Sequence, residues 1–147
     1  MSSITYERLS VGDSAEISRT INEEEVGTFA RITGDLNPVH LDEEWARNTI
    51  FKKRIVLGIL VTGLISNVLG NRLPGIGTIY VSQSLNFLAP VFFGDTITAR
   101  VDVVEKREKR RVRLRTVCRN QRNETVIEGE AIVLPPREDT PSPRNAT

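Results

Sequence analysis

The chain has 147 residues and is 39% hydrophobic, which is typical of one globular domain with its own core. Its 20 basic and 19 acidic residues nearly cancel, so no overall field favours nucleic acid or an anionic membrane as a partner. One histidine and one cysteine exclude a structural zinc site and an internal disulfide, and we expect Cys118 to be a buried thiol.

The first eight residues lack the apolar core of a signal peptide and the arginine-rich character of a transit peptide, so we expect a cytoplasmic protein. A first strand is predicted over Ala15–Ile21. Asn22 follows as a helix N-cap, with Glu25 at the spacing of a capping box. The helix buries Val26, Phe29, Ala30 and Thr33 and ends at Gly34.

A short helical turn is predicted over Asp42–Asn48, with Trp45 facing inward. Residues 55–69 are apolar on nearly all sides, which predicts a helix that other elements must cover. The uncharged stretch of 17 residues that contains them is at the lower limit for a membrane span and holds several glycines and polar residues. A buried central helix therefore explains it better.

Four alternating segments follow the central helix and predict antiparallel strands joined by tight turns. The turn chemistry lies at Gly94-Asp95 and Asn120–Asn123. We predict an α+β domain over residues 1–134, with a curved antiparallel sheet wrapped around one long helix. The proline-rich tail 135–147 is expected to be disordered. The predicted strands are Thr78–Phe87, Thr96–Val104, Arg111–Arg119 and Glu124–Leu134.

The most informative segment places Asp35 and the chain's single histidine, His40, on either side of Asn37-Pro38. Imidazole titrates near neutrality, and a carboxylate beside it can orient it and share its proton. Pro38 opposes a regular helix, so we expect the two side chains to converge from a loop. This arrangement predicts a proton-transfer site. An Asp before Asn-Pro can also be only a turn residue, and a lone histidine can be structural.

Residues 29–42, read with Ile55–Leu60, Leu73–Gly77 and Leu85–Asp95, resemble the MaoC-like family of (R)-specific enoyl-CoA hydratases and 3-hydroxyacyl-thioester dehydratases, which has the hot-dog fold. The resemblance covers about residues 10–134 and includes the family's Asp and His positions. This chain departs from the family pattern at Leu57, where members commonly carry histidine, and at Gly63, where some carry serine.

The resemblance implies reversible syn hydration of trans-2-enoyl thioesters to (R)-3-hydroxyacyl thioesters, with Asp35 and His40 as catalytic acid and base in an order that stays open. A backbone N–H at Gly58, at the first turn of the central helix, is a candidate oxyanion donor, although a packing glycine is the alternative. Asn37 and Pro38 would structure the loop. No metal or cofactor is expected, because the CoA or acyl carrier protein phosphopantetheine belongs to the substrate.

The family resemblance also implies a homodimer, with the acyl pocket near its interface. Residues 106–115 hold seven basic residues in ten, which could meet the phosphates of CoA or an acyl carrier protein, or could simply be a solvated hairpin. No aromatic residue is interleaved for RNA bases to stack on. Two other functions stay open: a hot-dog thioesterase, which would carry an acidic residue on the central helix, and a non-catalytic protein that binds acyl chains or a partner.

Overall fold

A computed structural model describes residues 3–144, which form a short 3-10 turn at Tyr6–Arg8, four α-helices and six strands. The helices are α1 (Glu23–Thr33), α2 (Pro38–Leu41), α3 (Glu43–Arg47) and α4 (Gly58–Asn71). The strands are β1 (Ser14–Thr20), β2 (Ile79–Gln83), β3 (Asn86–Phe87), β4 (Thr96–Lys106), β5 (Val112–Arg119) and β6 (Thr125–Leu134). The predicted α+β class and element order are confirmed.

The strands form one antiparallel sheet in the order β1-β4-β5-β6-β2, and β3 pairs with β6 beside β2. Strands β1 and β2 are therefore its edges within the described part of the chain. Alternation along β4 buries every second side chain, as the sequence predicts. The buried set is Ile97, Ala99, Val101 and Val103.

Helix α4 lies against the concave face of this sheet, chiefly against β4, β5 and β1. Its buried face is built from Val61, Ile65, Val68 and Leu69, which join the main hydrophobic cluster. The opposite face stays open, because Ile59 and Gly63 are exposed. The predicted helix wrapped by a sheet is confirmed, but the wrapping by one chain is incomplete.

Two predicted boundaries differ from the structure. The central helix begins at Gly58 rather than at residue 55, because Ile55 forms a β-bridge with Phe92. The strand predicted over Thr78–Phe87 is divided at residues 84–85 into β2 and β3, and β2 itself has a register shift between Tyr80 and Ser82. Beyond the shift, the Ser84 carbonyl approaches β6 so closely that a Cβ at Gly129 would lie 1.8 Å from its oxygen.

Two local predictions are wrong. Pro38 does not keep residues 38–41 out of a helix but begins α2 at its first position, where a proline loses no intrahelical hydrogen bond. His40 therefore lies on a helical turn. Trp45, predicted to face inward from α3, is 47% exposed. Ala46 instead supplies the buried contact of that helix.

The segment after β6 has no helix or strand as far as residue 144. Pro135 and Pro136 are buried, and Arg137 N–H donates to Thr140 Oγ1 at 2.9 Å. Residues 145–147 of the predicted tail lie outside the described part, and disorder of the tail stays a prediction.

Candidate active site

The loop that carries Asp35 begins where α1 ends. Gly34 takes the left-handed conformation with φ of 73°, and its N–H donates to the Ala30 carbonyl, which stops the helix. Thr33 Oγ1 accepts a hydrogen bond from Asp35 N–H at 3.2 Å. The Asp35 carboxylate accepts from Asn37 N–H at 3.3 Å and is exposed to solvent. Asp35 is thus held at the start of a short turn.

Asn37 caps α2, because its Oδ1 accepts from Val39 N–H at 3.2 Å. The short helix carries His40 inward, where the side chain is buried. His40 Nδ1 lies 2.8 Å from the Ile55 carbonyl oxygen, and Ile55 N–H donates in return to the Val39 carbonyl at 3.1 Å. Two reciprocal contacts therefore fix the imidazole against the segment that leads into α4.

The bond to Ile55 determines the tautomer of neutral His40. A peptide oxygen only accepts, so the proton lies on Nδ1 and donates to it. Nε2 is then left with its lone pair, which is the state that a general base requires. No carboxylate is needed to orient this ring, because a main-chain oxygen does so.

His40 lines a cavity of about 340 Å³ between the start of α4 and the segment that follows β3. Its walls are otherwise apolar or backbone, and His40 is the only titratable side chain among them. The remaining lining residues are Phe51, Ile55, Val56, Gly58, Phe87, Leu88, Ala89, Pro90, Val91 and Ile127. Such a cavity suits an uncharged chain that presents a reacting group to the imidazole.

Gly58 is the first residue of α4, and no acceptor among residues 3–144 receives its N–H. Helix N-termini carry such unpaired donors and favour negative charge. A Cβ at this position would lie 2.5 Å from Phe87 Cε1, so the aromatic ring covers the glycine closely. Gly58 therefore fits both readings made from the sequence, as a packing glycine and as a donor at the cavity wall.

The structure brings His40 and Gly58 to one cavity but does not bring Asp35 to its wall. Within residues 3–144 no hydrogen bond joins Asp35 to His40, and Asp35 does not line the cavity. The exposed side chains beside it, Ile32 and Leu36, are apolar. The catalytic pairing of the two residues stays a prediction.

The two departures from the family pattern occupy different environments. Leu57 is 3% exposed and belongs to the hydrophobic core, so it does not line the cavity. Gly63 is exposed on the open face of α4, with no atom within 4 Å of an added Cβ. Its neighbour Thr62 donates to the Ile59 carbonyl at 2.6 Å, as expected for a hydroxyl on a helix.

The basic run at residues 106–115 forms the hairpin between β4 and β5, at the far end of the sheet from the cavity. Strand β6 gives the distance between the two. Its residue Ile127 lines the cavity and its residue Val133 pairs with Val112 at the base of the hairpin, and the six residues from 127 to 133 span about 20 Å. Much of its charge is already paired. The ion pairs are Arg107–Glu105 at 3.1 Å, Arg110–Glu7 at 2.6 Å, Arg113–Glu105 at 2.9 Å and Arg113–Glu130 at 2.7 Å.

Sequence reasoning missed the aromatic part of the site. Phe51 and Phe87 line the cavity, and Phe92 and Phe93 each lie beneath a cation. Lys53 Nζ is 4.2 Å from the centre of the Phe92 ring, and the Arg54 guanidinium is 4.7 Å from that of Phe93. The available signal was the segment Phe51-Lys52-Lys53-Arg54, which interrupts two apolar stretches just before the central helix.

The predicted burial of the single cysteine is confirmed. Cys118 is buried in the core, as predicted, and burial raises the pKa of its thiol to about 12. Among residues 3–144 no group of His, Cys, Asp and Glu is arranged to hold a metal ion. In the same range no helix is long and apolar enough to cross a bilayer.

Known proteins resemble both the sequence and the fold. A family model described as MaoC like domain matches residues 11–125. The (R)-specific enoyl-CoA hydratase of Rhodospirillum rubrum is 48% identical over 132 residues, which cover 89% of this chain and 91% of that protein. The 3-hydroxybutyryl-CoA dehydratase of Methylorubrum extorquens is 45% identical over 139 residues, or 94% of this chain and 88% of the relative. The unliganded R-hydratase of Pseudomonas aeruginosa, 41% identical, matches with a TM-score of 0.87 over 99% of this chain and 97% of its own.

Proposed function

The chain belongs to the MaoC-like domain family, and on that premise we propose that it is a hydro-lyase which reversibly hydrates trans-2-enoyl thioesters to (R)-3-hydroxyacyl thioesters. One observation carries the proposal. His40, whose Nδ1 is engaged by the Ile55 carbonyl, lines an apolar cavity that also contains the first residue of α4. The (R) configuration and the enoyl thioester are taken from the names of the relatives.

In the hydration direction His40 Nε2 removes a proton from a water molecule as that water attacks C3 of the enoyl group. Charge then develops on the thioester oxygen, and the Gly58 N–H at the positive end of α4 stabilises it. A general base of this kind is worth about 10²–10⁴ in rate. Dehydration uses the same groups in reverse order.

Asp35 is the proposed second proton-transfer group: in its carboxylic acid form it gives a proton to C2, and the proton that His40 has taken from water then restores it. In the single chain its carboxylate is exposed beside exposed Ile32 and Leu36. We propose that a bound acyl chain and a second subunit cover this surface and bring the carboxyl into the site. The reaction needs neither a metal nor a cofactor, because the thioester handle is part of the substrate.

A homodimer is the proposed assembly, because one side of α4 and one edge of the sheet lack cover. The exposed Ile59 and Gly63 on α4 adjoin Tyr80 and Val81 of edge strand β2, and together they line a second groove. An exposed apolar edge strand favours pairing with another strand. Sheet-to-sheet joining along β2 would cover the groove. A cytoplasmic location stays a prediction.

The competing functions have less support. A hot-dog thioesterase would carry an acidic residue on the central helix, whereas α4 contains no Asp or Glu and no carboxylate lines the described cavity. A protein that only binds acyl chains would not need an imidazole with a free lone pair in its cavity wall. Hydration is therefore the function that the site favours.

The test is direct. When purified protein is mixed with crotonyl-CoA, the enoyl absorbance should fall without release of free thiol. Release of thiol would indicate a thioesterase, and the absence of both signals would indicate a protein that only binds acyl chains.

His40→Gln and Asp35→Asn should each lower kcat by two orders of magnitude or more, with circular dichroism unchanged. Asp42→Asn is a matched control, because Asp42 lies on the same segment but only caps α3 through Trp45 N–H, a role that asparagine also performs. Wild-type turnover in His40→Gln would refute the mechanism.

A further inference from the structure

Two lysines, Lys52 and Lys53, lie in the short loop that joins two walls of the cavity. Phe51 before them and Ile55 after them both line it. The loop is ordered by Phe51 N–H, which donates to Thr49 Oγ1 at 3.2 Å, and by Lys52 N–H, which donates to the Thr49 carbonyl at 3.2 Å. Lys52 has a φ of 64°, the left-handed conformation of a tight turn. Both lysines are exposed and lie in sequence between two residues of the cavity wall, and we call this segment the rim of the cavity.

Arg54 anchors this loop and leaves the lysines free for other partners. Its guanidinium pairs with Glu43 at 2.9 Å and with Glu23 at 3.1 Å, and it stacks on Phe93. Both carboxylates are therefore engaged by the arginine, and the three groups together keep one net negative charge. Within the described range 3–144 no carboxylate oxygen lies within 4.0 Å of either lysine ammonium. The rim thus carries two lysine ammonium groups that no described carboxylate pairs with directly.

Lys53 spans the rim from one side to the other. Its ammonium lies over the ring of Phe92, whose backbone bridges to Ile55 and which directly follows the lining residue Val91. The Ile55 carbonyl holds His40, and three residues of chain from Ile55 back to Lys52 span at most about 10 Å. With the length of a lysine side chain added, the ammonium groups can reach about as far from the imidazole as an extended pantetheine arm.

We propose that Lys52 and Lys53 bind the phosphates of the 3′-phospho-ADP portion of CoA, so that CoA is the handle of the substrate. This inference rests on the proposed function and deepens it. The apolar cavity would take the pantetheine arm and acyl group, and the two ammonium groups would neutralise the phosphates at its mouth. The basic hairpin at residues 106–115 does not compete, because it lies at the far end of the same sheet.

The experiment compares two substrates that differ only in the 3′-phospho-ADP nucleotide. Crotonyl-CoA and crotonyl-pantetheine carry the same enoyl thioester, and only the first carries the nucleotide. For the variant Lys52→Gln/Lys53→Gln we expect about a tenfold rise in KM for crotonyl-CoA with kcat unchanged, since each exposed charge contributes up to about 1 kcal/mol. Its kcat/KM for crotonyl-pantetheine should equal that of the wild type. The wild-type KM for crotonyl-CoA should rise with salt, and that of the variant should not.

The matched control is Lys109→Gln/Arg111→Gln in the distant hairpin. It removes the same number of charges, and Lys109 also has a left-handed φ, of 58°, so any cost of the turn is shared. We expect this variant to leave both substrates unaffected. Calorimetry with 3′,5′-ADP gives a second measurement without turnover, in which binding should weaken about tenfold only in the Lys52/Lys53 variant.

The outcomes separate the inference from the function. If wild-type protein hydrates crotonyl-pantetheine but the Lys52/Lys53 variant keeps its KM for crotonyl-CoA, the phosphate site is refuted and the hydratase stands. An equal loss of kcat/KM on crotonyl-CoA and crotonyl-pantetheine in this variant would also overturn the phosphate site. So would a loss seen only when crotonyl-acyl carrier protein is the substrate, because that result would assign the lysines to a protein carrier. Wild-type protein inactive on every enoyl thioester would instead refute the hydratase itself.

Discussion

Replacing Gly58 by alanine places a methyl group in the closest contact of the proposed site. A Cβ there lies 2.5 Å from Phe87 Cε1 and 2.6 Å from Cδ1, whereas carbon atoms in favourable contact are about 3.5–4.0 Å apart. The ring must therefore move by about 1 Å. Because Phe87 is 53% exposed, it can swing toward solvent, and we expect a loss below about 1 kcal/mol in the free energy of unfolding.

The kinetic effect should be larger than the effect on stability. Gly58 and Phe87 line the same cavity, and a displacement of about 1 Å in groups that position a substrate can cost about 10²-fold in rate. We expect kcat/KM for crotonyl-CoA hydration to fall by about that factor. Alanine keeps the backbone N–H at position 58, so the loss reports the shape of the cavity rather than removal of the donor.

A double-mutant cycle with Phe87→Leu isolates the contact. Leucine is shorter than phenylalanine and removes the ring edge that the added methyl group meets. Gly58→Ala should therefore lower kcat/KM much less when it is introduced into Phe87→Leu than when it is introduced into the wild type. Strictly additive losses, or wild-type kcat/KM in Gly58→Ala, would show that the contact does not shape the site.

Three further outcomes follow from the fold. Gly129→Ala should lower the free energy of unfolding by about 3 kcal/mol in urea titrations, because its Cβ would meet the Ser84 carbonyl, which is backbone and cannot turn aside; unchanged stability would contradict the close approach. Cys118 should stay unreactive toward a thiol reagent until the chain unfolds. Because its pKa is raised from 9.0 to about 12, the free energy of unfolding should fall by up to about 4 kcal/mol as pH rises across that interval, and Cys118→Ala should keep only the part of this slope that comes from Tyr80, whose pKa burial also raises to about 12. Gly63→Arg, on the open face of α4, should give monomers in sedimentation if that face forms the dimer. The control is Lys109→Arg in the more distant hairpin. A dimer that persists in Gly63→Arg would exclude this interface.

The sequence predicted most of the fold because periodicity and cap chemistry are local. Asn22 with Glu25, and Gly34 at the other end, set the bounds of α1 from the sequence alone, and the structure has both caps. The alternation of buried and more exposed side chains along β4 was equally clear from the sequence. By contrast, the register shift inside β2 and the close approach of Ser84 to Gly129, where β2 and β3 separate, depend on the neighbouring strand and are not encoded in the pattern of one strand.

The site was predicted less completely because its contacts come from distant parts of the chain. The motif around His40 was visible, but its partner is the carbonyl of Ile55, which no side-chain pattern can reveal. The exposure of Trp45 and Asp35 has a similar origin, since amphipathic spacing does not say which surface one subunit can cover. Lys52 and Lys53 acquire meaning only when Phe51 and Ile55 are seen to line one cavity.

The peptide oxygen that orients His40 has a consequence for how this protein can change over time. No substitution of the residue 55 side chain deletes that acceptor, so the proposed base keeps the required tautomer through any point mutation that leaves the local backbone in place. A ring held by an aspartate can lose its orientation through a single codon change. Here the side chains of the cavity wall can change while the proposed proton acceptor keeps its orientation.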